Sequence, residues 1–300
     1  MPIFITTISE DCYCVYLYFC FGFVSSYLLA MTYLASATRF TESCMQAPFS
    51  IFNFQLSIDM NYITVNDKLA NVLLRDYLLF SVVNRFGIKL GFGDKTIKEV
   101  CDETGTDPEF FTAILNTFTS ERYFSEKRLK SFPILQIVDY LKKTHDFYRN
   151  IELKIIDVHL NILIESGKNA KGLKLVKEFF ENYKRELLAH LKREEERTFP
   201  YIENLVALQG KENKRELFEK LIRKYNIRVF EREHDNVDEK LFDLKNILIK
   251  YLNEDYDQSS CNAVIFELFK LEKDLVEHTK LEDKILIPMV QELEETLRKN

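Results

Sequence analysis

The eleven residues HLKREEERTFP (190–200) decide the reading of this chain, because they return 88 residues later as HTKLEDKILIP (278–288). Both stretches read H-x-x-x-E-x-x-x-x-(F/I)-P. On a helix, residues four apart differ by about 40° of rotation, so His190 and Glu194 leave one face, as do His278 and Glu282. An imidazole and a carboxylate presented together, twice over, make a set of nitrogen and oxygen ligands for a metal.

The remaining histidines extend the pattern. The chain has five, at 145, 159, 190, 234 and 278. Leaving out His159, the intervals are 45, 44 and 44 residues. Their midpoints fall in turn-forming sequence: Ser166-Gly167-Lys168-Asn169, Gln209-Gly210-Lys211-Glu212-Asn213, and 253–260. Helices joined by short loops pack antiparallel, so residues equidistant from a loop return to the same depth. The spacing therefore predicts an all-α, up-down-up-down four-helix bundle over 131–300, with His145, His190, His234 and His278 in one layer. Each would stand roughly 30 Å from a loop, at about 1.5 Å per helical residue. The layer holds four imidazoles and two carboxylates, Glu194 and Glu282, in pseudo-twofold array. That inventory suits two iron ions, each with two terminal imidazoles and with the carboxylates bridging. A structural zinc site would be closed and tetrahedral, usually with Cys.

Neighbouring residues receive plainer roles. His159 follows His145 by 14 residues, about 21 Å along the helix, and reads as a core or rim residue. Glu195 and Glu196 point off the ligand face and read as solvated. Asp146 and Asp235 either orient imidazoles or face water. Tyr148 and Tyr183 read as packing, and Pro200 and Pro288 as points where the inner helices kink or end.

Composition bounds the rest. Gly (8) and Pro (6) are scarce, Trp is absent, and Leu/Ile/Lys/Glu-rich stretches dominate after residue 130. The net charge of −6 argues against general nucleic-acid affinity. The six Cys carry no CxxC spacing, which speaks against a thiolate zinc site and for a reduced, cytoplasmic setting. Residues 60–130 read as a small helical domain. Asn66 or Asp67 caps a helix through Leu69 and Tyr77, Thr96 with Glu99 forms a capping box, and Thr106 or Asp107 precedes Pro108 at a helix start. Residues 1–59 differ, since 27 consecutive residues between Asp11 and Arg39 bear no charge. They read either as a membrane anchor, with membrane contact only in that case, or as an over-extended start.

At these residues the chain resembles the hemerythrin-like (HHE) superfamily. Within it, the chain looks most like the di-iron proteins called repair of iron centres, which also carry a small helical domain before the bundle. The likeness covers roughly 63–300 and rests on Thr144-His145-Asp146-x-Tyr148-Arg149, the two H-x-x-x-E stretches, and Glu233-His234-Asp235. It implies terminal ligands at His145, His190, His234 and His278, bridges at Glu194 and Glu282, and two iron ions reactive toward O2 or NO. It further implies restoration of iron-sulfur clusters damaged by nitric oxide or oxidants, with iron-sulfur proteins as partners and a homodimer as a compatible assembly. Sensing of oxygen or NO, and iron storage, are the competing expectations. One departure stands out: the family places an adjacent Cys pair before a Gly-rich turn, and the matching stretch, Arg85 to Asp94, has none.

Overall fold

The computed structural model describes residues 62–167, 171–233, 238–252 and 255–299. The apolar stretch at 12–38 and His234 with Asp235 lie outside the described residues. Among the described residues the structure is helical, and the one extended pairing is an isolated bridge between Lys68 and Thr96. No described helix is long and apolar enough to cross a membrane.

The N-terminal helices are short and sharply punctuated. They are α1 (Leu69–Arg75), α2 (Leu79–Arg85), α3 (Ile97–Thr104), α4 (Pro108–Thr119) and α5 (Glu126–Leu129). The expected capping box is present: the Thr96 hydroxyl accepts from the Glu99 amide, and the Glu99 carboxylate accepts from the Thr96 amide. Asp107 caps α4 through the amides of Glu109 and Phe110. The start of α1 departs from expectation. Asp67 accepts from the Thr64 amide and hydroxyl, closing the turn before the helix, so α1 begins at Leu69 without a side-chain cap and stops before Tyr77.

Beyond residue 133 the chain forms long rods, each continuous through a turn of π-helix. The first is α6 (Ile134–Phe147) and α7 (Leu153–Ser166), joined by Tyr148–Glu152; the second is α8 (Lys171–Arg193) and α9 (Phe199–Leu208), joined by Glu194–Thr198. After α10 (Lys214–Ile222) and α11 (Ile227–Glu233) comes α12 (Asp238–Asn246), which runs into the π turn Ile247–Tyr251. The last rod is α13 (Gln258–Leu281) and α14 (Ile287–Lys299), joined by Glu282–Leu286. Packing runs α13 on α7 and α12, and α8 on α7 and α12, making a helical bundle at that end. At the other end α9 packs on α6, α10 and α14.

Why these rods form is visible in α8 and α13. The buried positions of α8, Leu173, Val176, Phe180, Tyr183, Leu187 and His190, alternate steps of three and four and lead to Glu194. Those of α13, Cys261, Val264, Leu268, Leu271, Leu275 and His278, do the same and lead to Glu282. Every member of the first stripe lies 88 residues from its counterpart in the second. Such a stripe faces the partner helices over its whole length, and each buried Leu or Phe contributes about 1.5–3 kcal/mol of transfer free energy.

Two expectations need correction. Pro200 and Pro288 do not end the inner helices. A π turn precedes each, the Phe199 amide donating to the Glu194 carbonyl and the Ile287 amide to the Glu282 carbonyl, and helix continues through both prolines. The connection before the third rod is also no short loop. It spans 209–226 and contains α10, so the next helix, α11, begins only at Ile227. The equal sequence intervals thus arise from unequal helix and loop lengths.

The buried apolar residues divide into two clusters. One joins residues 63–141 to 199–230 and 281–297, so the N-terminal helices share a core with one end of the rods. The other takes in 147–191 and 241–275. His145, Glu194 and His278 fall between the ranges of the two clusters, and His190 and Glu282 stand at their edges, so the polar residues gather where the two apolar clusters meet.

Candidate metal centre

Each candidate side chain reaches the layer because its apolar stripe carries it there. His145 closes the inward face of α6 after Ile137 and Leu141, while His190 and His278 end the stripes of α8 and α13. His145, Glu194, His278 and Glu282 each offer a ligand atom, all within 4.8 Å of one another, and all four residues are buried. His145 Nε2 lies 3.1 Å from Glu194 Oε2, His190 Nε2 lies 2.8 Å from Glu194 Oε1, and His278 Nε2 lies 3.3 Å from Glu282 Oε1. The His145 and His278 rings stand 5.1 Å apart.

The ligand atoms converge in close ion pairs, and several of them are left without an aligned hydrogen bond. His145 Nε2, both Glu194 carboxylate oxygens and both His278 ring nitrogens are buried and make no well-aligned hydrogen bond. Buried polar atoms left in this condition are costly, and a cation shared among them removes the cost. Electrostatics agree. Burial disfavours the His145 imidazolium, but the close approach of Glu194 and the hydrogen bond to Glu195, with the charges of Glu194 and Glu282, outweigh it and raise His145 to about 9. Burial and the nearby Glu282 push Glu194 up, yet His145 and His190 bring it below the ordinary carboxylate range. The layer is a negative pocket that holds a proton where a metal ion would compete for it. The residues present fit a metal.

Glu195 is only partly exposed and is engaged by the layer, contrary to the expectation of a solvated side chain. Its Oε1 accepts from His145 Nδ1 at 3.0 Å, and both its oxygens accept from Arg149 at 2.8 and 2.9 Å. With the Nδ1 proton donated to Glu195, His145 Nε2 is the atom free to bind a metal. These hydrogen bonds, that from His145 foremost, hold Glu195 down to about 2. Glu196 is exposed, and Asp146 faces water in an ion pair with Arg149. Tyr148 does more than pack: its hydroxyl donates to Asp274 at 2.6 Å, and its ring meets His278 edge-on at 5.8 Å. Tyr183 lies in the apolar core and His159 is half-buried away from the layer. A cavity of about 10 Å³ lies beside His190 and Glu194, about the volume of one water.

Residues 136–290 match the hemerythrin HHE cation binding domain. The chain belongs to that family. The match spans more than half of the 300 residues and includes all of the gathered His and Glu side chains. The HHE domain and the buried His/Glu cluster together mark a metal-binding protein. No curated protein matches the chain at a significant level.

Proposed function

We propose that the protein is a non-haem di-iron protein whose layer lies in an up-down-up-down four-helix bundle. In this reading His145, His190, His234 and His278 are terminal ligands and Glu194 and Glu282 bridge. The observation that carries it is the convergence of His145, Glu194, His278 and Glu282 within 4.8 Å, with buried donor atoms left unsatisfied. Iron held there would supply one-electron redox chemistry toward O2 or NO. The chain's own contribution is to fix the ligands and keep the layer dry. Glu195 and Arg149 set the tautomer of His145, and the two apolar clusters exclude bulk water.

We assign the protein a cytoplasmic role in restoring iron-sulfur clusters under nitrosative or oxidative stress, with damaged iron-sulfur proteins as partners. Supporting this are the H-x-x-x-E repeats, the T-H-D-x-Y-R stretch and the helical segment ahead of the bundle. The missing Cys pair between Arg85 and Asp94 removes any step that would need those thiols. Sensing of O2 or NO is the second reading, favoured by the N-terminal helices sharing a core with the rods next to the layer.

Metal analysis and optical spectra of anaerobically purified protein, with and without NO, test the assignment. Wild type should carry two iron ions per chain, and Glu194→Ala or Glu282→Ala fewer. Equal iron in all three proteins would sink the ligand assignment. Reactivation of a damaged cluster enzyme separates the roles: repair requires it, whereas a sensor changes conformation on NO binding and reactivates nothing.

A further inference from the structure

We propose that Arg85, which lies outside the matched residues 136–290, is a positioning residue of the metal layer, acting through Asp274 and Tyr148. The inference rests on the metal-centre reading and adds to it a contribution from the N-terminal helices.

Arg85 ends α2, and its side chain is fully buried. Its guanidinium pairs with Asp274, donates to the Tyr140 hydroxyl at 3.0 Å, and lies over the rings of Phe147 at 4.9 Å, Tyr148 at 5.5 Å and Phe118 at 5.6 Å. Asp274 also accepts from the Tyr148 hydroxyl at 2.6 Å and from the Ser81 hydroxyl at 3.2 Å. It stands four residues before His278 on α13, on the same face. Tyr148 stands three residues after His145, and its ring edge rests on His278. The chain of contacts from Arg85 to the imidazoles is therefore continuous, buried and made of groups with fixed partners.

Burial of a charged pair is tolerated only while both members stay in place. Without Arg85, Asp274 would be a buried carboxylate held by the Tyr148 and Ser81 hydroxyls alone. Its grip on Tyr148 would change, and with it the wall against which His278 is set. Partners of metal ligands commonly alter affinity about 10–100-fold when removed. Arg85 acts one contact further out, through a carboxylate and a phenol rather than on the imidazole itself.

Anaerobic titration with Co(II), whose visible bands report ligand geometry, tests the proposal. Arg85→Met should weaken binding by about 10-fold or more and shift the bands, and Tyr148→Phe should do the same to a smaller degree. Arg85→Met combined with Asp274→Asn should recover most of the affinity, because no unpaired charge remains. Leu73→Ala, which opens the N-terminal core at a residue outside the Arg85–Asp274–Tyr148 contacts, should leave affinity and bands unchanged. Should Arg85→Met fail to fold, Tyr148→Phe decides alone. Wild-type affinity and spectrum in both Arg85→Met and Tyr148→Phe would overturn the proposal, as would equal weakening by Leu73→Ala. Failure of the wild-type protein to bind Co(II) at all would instead remove the metal-centre reading beneath it.

Discussion

Glu195 and Glu196 are adjacent acidic residues whose fates differ because one helical step turns the side chain by about 100°. That step puts Glu195 within reach of His145 on another helix and leaves Glu196 in water. Removing Glu195 frees the Nδ1 proton of His145 and leaves Arg149 with Asp146 as its remaining carboxylate partner. Glu195→Ala is expected to weaken metal binding about 10–100-fold with little loss of fold, as measured by anaerobic iron titration. An unaltered affinity would mean that His145 needs no such partner. The position of Glu195 was not legible in the sequence. Periodicity reports which face of its own helix a residue occupies, and says nothing about a neighbour 50 positions away. The gathering of His145, Glu194, His278 and Glu282 was legible, since those residues lie on the apolar stripes that must face inward in any packing.

At the scale of elements, the stripes of α8 and α13 could be read in advance, whereas the π turns could not. An inserted residue in a helix leaves no mark in composition, and the prolines that follow it suggest a break that does not occur. The 209–226 connection was misjudged for a related reason: α10 is short, rich in Lys and Glu, and buries only Phe218 among its fully buried positions. The π turns also place a charge where none is comfortable. Glu152 closes the first of them with 1 % of its side chain exposed, and burial, with the nearby Glu267 and Asp274, pushes it up to about 7 against the pull of Lys270. Folded protein therefore holds this proton at pH values where the unfolded chain has released it. Stability from this group falls as pH rises from about 4.5 through 7. Glu152→Gln should flatten that slope and gain on the order of 1–3 kcal/mol at pH 8, read by urea unfolding at pH 5 and pH 8. A smaller test belongs to the N-terminal segment. Thr96→Ala removes the capping box of α3 and should cost about 1 kcal/mol in the same assay.

Across the whole molecule, the polar layer separates two apolar clusters that the long rods pass through. With a cation in the layer, the halves are tied by ligands from α6, α8 and α13. Without one, the seam is held only by His–Glu pairs between the two apolar cores. Calorimetry should show one transition for the metal-loaded protein, and a lower melting temperature with a second, resolved transition after chelation. An unchanged single transition would count against the seam. The all-helical class was legible because it needs only the apolar stripes. The sharing of one core between the N-terminal helices and the rods was not, because nothing local in residues 63–132 says what they pack against.

The layer also has a topological consequence. His145 and Glu194 are separated by 49 positions of chain, and Glu194 and Glu282 by 88. An ion held by all three closes two long loops at once, as a pair of disulfides does in a secreted domain. Part of its stabilisation then comes from the unfolded chain, whose freedom it restricts, provided some ligands stay attached there. Unlike a disulfide, this cross-link is undone by a chelator, and the freedom returns to the chain when the ion leaves.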